Sequence, residues 1–294
     1  MEPNESYRTL TEFEASRRKI RKQLKNPFLY NCARSLYNFY CNFSGPLHKY
    51  PDYLIIGASR SGTTSLFEYL MRHPNVEYPT TKQIHYFDKY YVRGKNWYKN
   101  HFPLKWKKGI SGDATPYYYN TPYATKRIQN LIPSVKIIMM CRNPVDRAYS
   151  QYYYELYGKN ETLSFADAIE KEGERIKDEF ERMELDSNFY SEKYYRYSYL
   201  DSGKYEKHLQ KWLTNFPISQ FLFIKSEDFY QSTNEIFSEI QKFLDIPECN
   251  LPEYKIFRSE KYPDMEQKLR KKLEEYFKPY NEKFYKLIGK NFDW

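Results

Sequence analysis

Pro51-Asp-Tyr-Leu-Ile-Ile-Gly-Ala-Ser-Arg-Ser-Gly-Thr-Thr-Ser-Leu-Phe-Glu-Tyr-Leu70 is the stretch that decides the fold. Residues 53–56 form a short apolar, β-branched run, the signature of a strand buried on both faces. Residues 57–62 are a turn of small residues closed by Gly62. From Thr63 onward the apolar residues Leu66, Phe67 and Leu70 fall at helical spacing. Strand, glycine-bounded loop and helix N-terminus together make a phosphate cradle, because unpaired backbone N–H groups and the positive end of the helix dipole converge on a bound anion. A nucleoside triphosphatase would read G-x-x-x-x-G-K-[ST] here. The spacing from Gly57 to Gly62 matches, but Thr63 stands where the lysine belongs and Arg60 is the one cation of the loop. The expectation is a loop that holds a phosphate-like group without the usual metal and terminal-phosphate handling.

Outward from this stretch, residues 135–141 (Val-Lys-Ile-Ile-Met-Met-Cys) read as a second buried parallel strand. It feeds Arg142-Asn143-Pro144-Val145-Asp146-Arg147-Ala148-Tyr149-Ser150, in which Pro144 opens a helix. Arg142 and Ser150 thereby sit at the carboxyl edge of a parallel sheet, where ligands bind; the alternative is an arginine that pairs with Asp146 on its own helix. In residues 80–88, Ile84, Tyr86 and Phe87 read as buried, leaving Gln83, His85 and Asp88 as the polar group near the loop. Residues 112–116 are a strand end entering a turn. Helices are expected over residues 123–132, 199–216, 235–244 and 265–277, a third strand over 221–224, and a solvated helical excursion over 161–186. Strands alternating with helices predict an α/β fold: a single P-loop-like domain over residues 49–294, its central parallel sheet flanked by helices. Residues 1–48 are expected to be an N-terminal helical arm.

Composition narrows the partners. The 294 residues are 40% hydrophobic with a formal net charge of +9, which favours an anionic ligand, a nucleic acid or a membrane surface. Nucleic acid is disfavoured, since basic residues are mixed with acidic ones and no recognition motif is present. Cys32, Cys41, Cys141 and Cys249 show no metal-ligand spacing, and no metal site is expected. The polar N-terminus reads neither as a signal peptide nor as a membrane span, which makes the cytoplasm the default compartment. In the arm, a basic cluster over residues 17–25 precedes the aromatic run 28–43. Docking of that run on the domain behind it is the favoured reading; peripheral membrane contact through residues 17–43 is the other. The 33 tyrosines have no explanation at the level of sequence.

With both phosphate-side motifs in hand, the chain resembles the sulfotransferases that use 3′-phosphoadenosine 5′-phosphosulfate (PAPS), closest to the heparan sulfate and related bacterial carbohydrate type. Residues 57–64 resemble the 5′-phosphosulfate loop of that family, and residues 142–150 its 3′-phosphate motif, in which the first Arg and last Ser hold that phosphate. Residues 203–217 and 284–294 resemble two further shared stretches. The resemblance implies PAPS as co-substrate without a metal, and a carbohydrate hydroxyl or amine as acceptor. Arg60, Ser61, Gly62, Thr63, Thr64, Ser65, Arg142, Ser150, Arg258, Ser259 and Lys261 would hold the donor. Gln83, His85, Asp88, Asp113, Thr115 and Tyr117 would face the acceptor. Arg60, His85 and Gln83 would be catalytic, with Arg60 where the family has Lys. One departure matters most: the family's Glu base, two residues before the His, is here Gln83, and a neutral amide accepts no proton. His85 is the replacement by elimination. The C-terminal loop also departs, reading Arg258-Ser259-Glu260 before Lys261-Tyr262-Pro263. Alternatives are a lipid, small-alcohol or tyrosine acceptor, or a silent module that binds a nucleotide or an anionic glycan.

Overall fold

The computed structural model describes residues 27–255 and 261–294, with side chains described from residue 35 onward. Four parallel strands form one sheet in the order β2-β1-β3-β4: β1 Tyr53–Gly57, β2 Gly112–Asp113, β3 Lys136–Cys141 and β4 Phe221–Lys225. All five residues of β1 are buried, as are the last five of β3. The period-two alternation of a strand then builds two cores from one run of apolar residues. Leu54, Ile56, Ile137, Met139 and Cys141 face one side and pack with Tyr118, Tyr119, Ile128, Trp212 and Phe284. Tyr53, Ile55, Ile138 and Met140 face the other and meet Leu66, Phe67, Leu70, Phe229, Phe237 and Ile240. The result is a sheet covered on both faces, the α/β architecture expected from the alternation of elements.

In chain order the helices are α1 Pro27–Ser44, α2 Thr63–Leu70, α3 Gly94–Lys99, α4 Ala124–Leu131 and α5 Pro144–Tyr157, then α6 Phe165–Glu170, α7 Glu172–Arg175, α8 Glu179–Leu185 and α9 Glu192–Tyr197, and finally α10 Tyr205–Leu213, α11 Ser226–Gln231, α12 Thr233–Phe243 and α13 Gln267–Ile288. Three expectations need correction. The charged stretch 161–186 is not merely solvated: Phe165, Ala168 and Met183 are buried, and the buried Glu172 carboxylate accepts the Leu200 and Asp201 N–H groups, each at 2.7 Å. The basic helix does not stop at Phe277; α13 runs through Pro279, with Phe277, Asn281 and Phe284 buried on either side of it. Packing of both halves outweighs the one backbone bond that a proline removes. Lastly, the arm helix α1 docks through Cys41 and Ser44, but its Phe39 and Phe43 point to solvent, 74% and 80% exposed. No helix among the described residues is long and apolar enough to cross a membrane.

Candidate functional site

The site forms where two neighbouring strands deliver their chains to the same edge. β1 ends at Gly57, and the loop to Gly62 turns the chain into α2. Gly57 has φ +148° and Gly62 φ +87°; a Cβ on Gly62 would lie 2.7 Å from the Tyr230 hydroxyl, so only glycine closes this turn. β3 ends at Cys141, and Asn143 caps α5 by accepting the Val145 N–H at 2.9 Å. Pro144 occupies the first turn. Two helix N-termini, α2 and α5, therefore open onto one cleft of about 440 Å³.

The cleft wall carries Arg60, Gly62, Thr63, Thr64, Lys82, Gln83, Tyr117, Arg142 and Ser150. The Arg142 backbone is held by Tyr205, whose hydroxyl accepts the Arg142 N–H at 3.2 Å and donates to its carbonyl at 2.8 Å. The guanidinium donates to the Arg60 carbonyl at 3.3 Å and to the Tyr262 hydroxyl at 3.4 Å. Arg60 departs from expectation: its Nε donates to Ser150 Oγ at 3.1 Å and its guanidinium lies 4.8 Å from the centroid of the Tyr154 ring, so it leans toward the Arg142–Ser150 side. The cation on the α2 side is Lys82, whose Nζ donates to Thr64 Oγ1 at 2.5 Å. Sequence reasoning passed over Lys82. The clue was that a phosphate loop without its lysine needs a cation from elsewhere, and Lys82 adjoins Gln83. Tyr154, Tyr230, Tyr262, Asp146, Ser226 and Glu227 also line the cleft and were not foreseen. Asp146 and Tyr262 stand within the stretches 142–150 and 258–263, at positions given no donor role there; the local sequence of the other four carries no motif that would single them out.

Other expected donor residues sit differently. Ser61 is fully buried, and its Oγ has no hydrogen-bond partner among the described residues. Ser65 is buried too, with its Oγ 3.3 Å from the Tyr230 hydroxyl, behind the cleft wall. Lys261 is exposed and does not line the cleft; its neighbour Tyr262 does. Arg258 and Ser259 lie outside the described residues.

Of the residues expected on the acceptor side, Gln83 and Tyr117 reach the cleft wall and the other four do not. His85, at φ +55°, stacks on Tyr117 with ring centroids 5.5 Å apart, and its Nδ1 is 2.7 Å from Asp88 Oδ2. The other carboxylate oxygen, Oδ1, accepts the Lys89 N–H at 2.8 Å, and the Asp88 side chain has no exposed surface. Asp113 and Thr115 are fully buried. Thr115 Oγ1 donates to Asp113 Oδ1 at 2.7 Å, while the Tyr118 and Tyr98 hydroxyls donate to Oδ2 at 2.8 and 3.2 Å. Burial pushes the Asp113 carboxyl up to about 6. Asp88, Asp113 and Thr115 thus brace the wall from behind, and direct contact with an acceptor, as expected from the sequence, is sterically closed to them. The Thr115 hydroxyl also accepts the His85 N–H at 3.3 Å, which ties this network to the histidine. Of the carboxylates that line the cleft, Asp146 pairs with Arg270 and Glu227 Oε1 accepts the Asn143 N–H at 2.8 Å.

This geometry meets known proteins as follows. Residues 50–288 match the family model described as Sulfotransferase domain. Over 85% of its length the chain is 30% identical to the membrane-associated sulfotransferase kil1 of Dictyostelium discoideum, covering 68% of that protein. It is 29% identical to human heparan sulfate glucosamine 3-O-sulfotransferase 6, over 85% of this chain and 76% of the relative. A crystal structure of a sulfotransferase from Alicyclobacillus acidocaldarius superposes with a TM-score of 0.69 at 27% identity, covering 83% of this chain and 97% of that one.

Proposed function

The chain belongs to the sulfotransferase domain family, and on that premise we propose that it moves a sulfuryl group from PAPS to a hydroxyl or amine of a carbohydrate. Residues 49–294 would be the catalytic unit and residues 1–48 an appended arm. The observation that carries the reading is the convergence of the α2 and α5 N-termini on one cleft whose loop has Thr63 in place of a nucleotidase lysine. The donor fits the chemistry of the lining: Arg60, Lys82 and Arg142 put three cationic side chains, and Thr63, Thr64 and Ser150 three hydroxyls, on one cleft wall. Arg142 and Ser150 would take the 3′-phosphate, and the loop N–H groups with Thr63, Thr64 and Lys82 the 5′-phosphosulfate. Arg60, between Ser150 and Tyr154, would link the two subsites.

PAPS supplies an activated sulfuryl group whose sulfur–oxygen bond to phosphate breaks as a bond to the acceptor oxygen or nitrogen forms. The protein's part is alignment, stabilisation of charge on the departing phosphate and removal of the acceptor's proton. Gln83 cannot take that proton. His85 is the candidate: it stacks on Tyr117, which lines the cleft, and with its Nδ1–H donated to Asp88 its Nε2 would keep the lone pair that takes the proton. Lys82 beside Thr64 supplies the positive charge for the leaving group. Gln83 also favours a second reading, a silent nucleotide-binding module, which binds donor but turns nothing over.

Calorimetry in EDTA with 3′-phosphoadenosine 5′-phosphate and with adenosine 5′-phosphate tests the assignment. The 3′-phosphorylated ligand should bind more tightly, and Arg142→Ala should weaken it by about 1.5–3 kcal/mol more than it weakens the other. Equal losses for the two ligands, or binding that requires magnesium, would sink the proposal.

A further inference from the structure

The helix α1 is amphipathic in the wrong sense for a docked helix. Among its described side chains the buried ones are the small Cys41 and Ser44, with Ser44 Oγ donating to Asn100 Oδ1 at 2.6 Å. Its outward stripe is apolar: Leu36, Phe39, Tyr40 and Phe43 recur at helical spacing and are 71%, 74%, 56% and 80% exposed, and Leu47, 49% exposed in the 3-10 turn 45–47 that follows, extends the stripe. The stripe continues into a neighbouring segment. The Leu47 carbonyl accepts the Lys105 N–H at 2.9 Å, which sets the 66%-exposed Trp106 beside the end of the stripe. Lys105, Lys107 and Lys108 around that tryptophan are exposed, as is Lys95 on α3, the helix on which α1 rests.

Charge says what covers this face. Residues 27–51 and 89–112 together hold nine Lys and Arg and no Asp or Glu, equal to the +9 of the whole chain, so the remainder carries no net charge. Basicity is gathered in the two segments that present the apolar stripe. A second copy of the chain would set lysine against lysine with no carboxylate between them, which disfavours a dimer across this face. A polyanionic glycan would satisfy the lysines and leave the aromatic stripe in water. An anionic lipid surface satisfies both, with aromatic and aliphatic side chains at the acyl boundary and ammonium groups among the head groups.

We propose that α1 and the Lys105–Lys108 segment form a peripheral binding surface for anionic membranes. The proposal is independent of the sulfuryl-transfer reading, because no residue of this surface lines the cleft. Co-sedimentation of the full chain with vesicles of phosphatidylcholine carrying phosphatidylserine, against phosphatidylcholine alone, is the test. The chain should pellet with the anionic vesicles and stay soluble with the neutral ones. The pair Phe39→Ser/Phe43→Ser, and separately Lys105→Gln/Lys107→Gln/Lys108→Gln, should each lower the partition coefficient at least about tenfold, with an unchanged thermal unfolding midpoint as evidence of an intact fold. Three results would overturn the proposal: no pelleting of the parent chain, equal pelleting with neutral vesicles, or partition untouched by both sets of substitutions. So would a dimer in light scattering that the phenylalanine pair converts to a monomer, since the stripe would then be a self-interface.

Discussion

Asp88→Asn isolates the proposed base without touching the cleft. The Asp88 carboxylate has no exposed surface and two fixed duties, accepting the Lys89 N–H on Oδ1 and the His85 Nδ1–H on Oδ2. Asparagine fills the same volume. Its carbonyl must take the Lys89 N–H, so its NH₂ is turned on His85 Nδ1 and makes that nitrogen an acceptor. The proton then moves to Nε2 and the lone pair proposed to take the acceptor's proton is lost. General-base assistance is worth about 10²–10⁴ in rate, so kcat should fall by that factor. Both hydrogen bonds survive in changed form, and stability should change by less than about 1 kcal/mol. Transfer of labelled sulfate from PAPS to desulfated heparan sulfate measures the rate, and slow hydrolysis of PAPS gives a readout free of any choice of glycan. Restoring a carboxylate with Gln83→Glu in the Asp88→Asn background should recover activity. If Asp88→Asn retains the parental rate, the histidine is not the base and the tautomer argument fails.

Two other perturbations follow from the same geometry. Gly62→Ala should destabilise the fold by about 1–2 kcal/mol through its left-handed backbone position, and should weaken 3′-phosphoadenosine 5′-phosphate binding at least about tenfold, since the added Cβ pushes on Tyr230; thermal unfolding and calorimetry read the two effects separately. The carboxyl of Asp113, raised by burial from 3.8 to about 6 in the folded chain, binds its proton more tightly there than when unfolded. Its contribution to stability is therefore fully present below about pH 4 and is lost as pH rises through 6. Urea unfolding of the parent and of Asp113→Asn should show the variant gaining about 2–3 kcal/mol on the parent between pH 4 and pH 7, and a constant difference across that range would contradict the burial argument.

The strands and the two turns that follow β1 and β3 were legible because their signals are local. An apolar run such as residues 135–141 can bury itself only between two layers, and a glycine with positive φ leaves its mark in the spacing of residues 57–62. What the sequence hid was non-local. Asp113 read as an acceptor-facing carboxylate, yet Tyr98 and Tyr118 donate to it from elements that no periodicity connects to β2. The same pattern supplies the missing explanation for much of the tyrosine content. Tyr194 bonds Asp201, Tyr199 bonds Glu161, Tyr123 bonds the Asp88 carbonyl and Tyr205 bridges the Arg142 backbone. Each ring fills core volume while its hydroxyl satisfies a buried acceptor. Lys82 escaped notice for a related reason, since its partner Thr64 lies across the loop, eighteen residues away in sequence. The helix expected over residues 265–277 runs on through Pro279 because Phe277 and Phe284 anchor it on both sides of the proline.

β1 and β3 are hydrogen-bonded neighbours, their register running from Tyr53 opposite Lys136 to Gly57 opposite Met139, with one irregularity between Ile55 and Gly57. Neighbouring strands lie about 4.8 Å apart, a spacing that backbone hydrogen bonds allow to vary little. The sheet therefore works as a gauge. The two helix N-termini it carries are held at a separation that no side-chain motion can alter, and a ligand with two anionic groups is measured against it as a rigid object. A one-residue slip of the β1–β3 register would displace one anion site past the other by about 3.3 Å along the strand, more than a hydrogen bond can stretch. Selectivity for the spacing of the donor's phosphates would then be a property of the backbone, and substitutions in the cleft wall would tune affinity while leaving that length standard untouched.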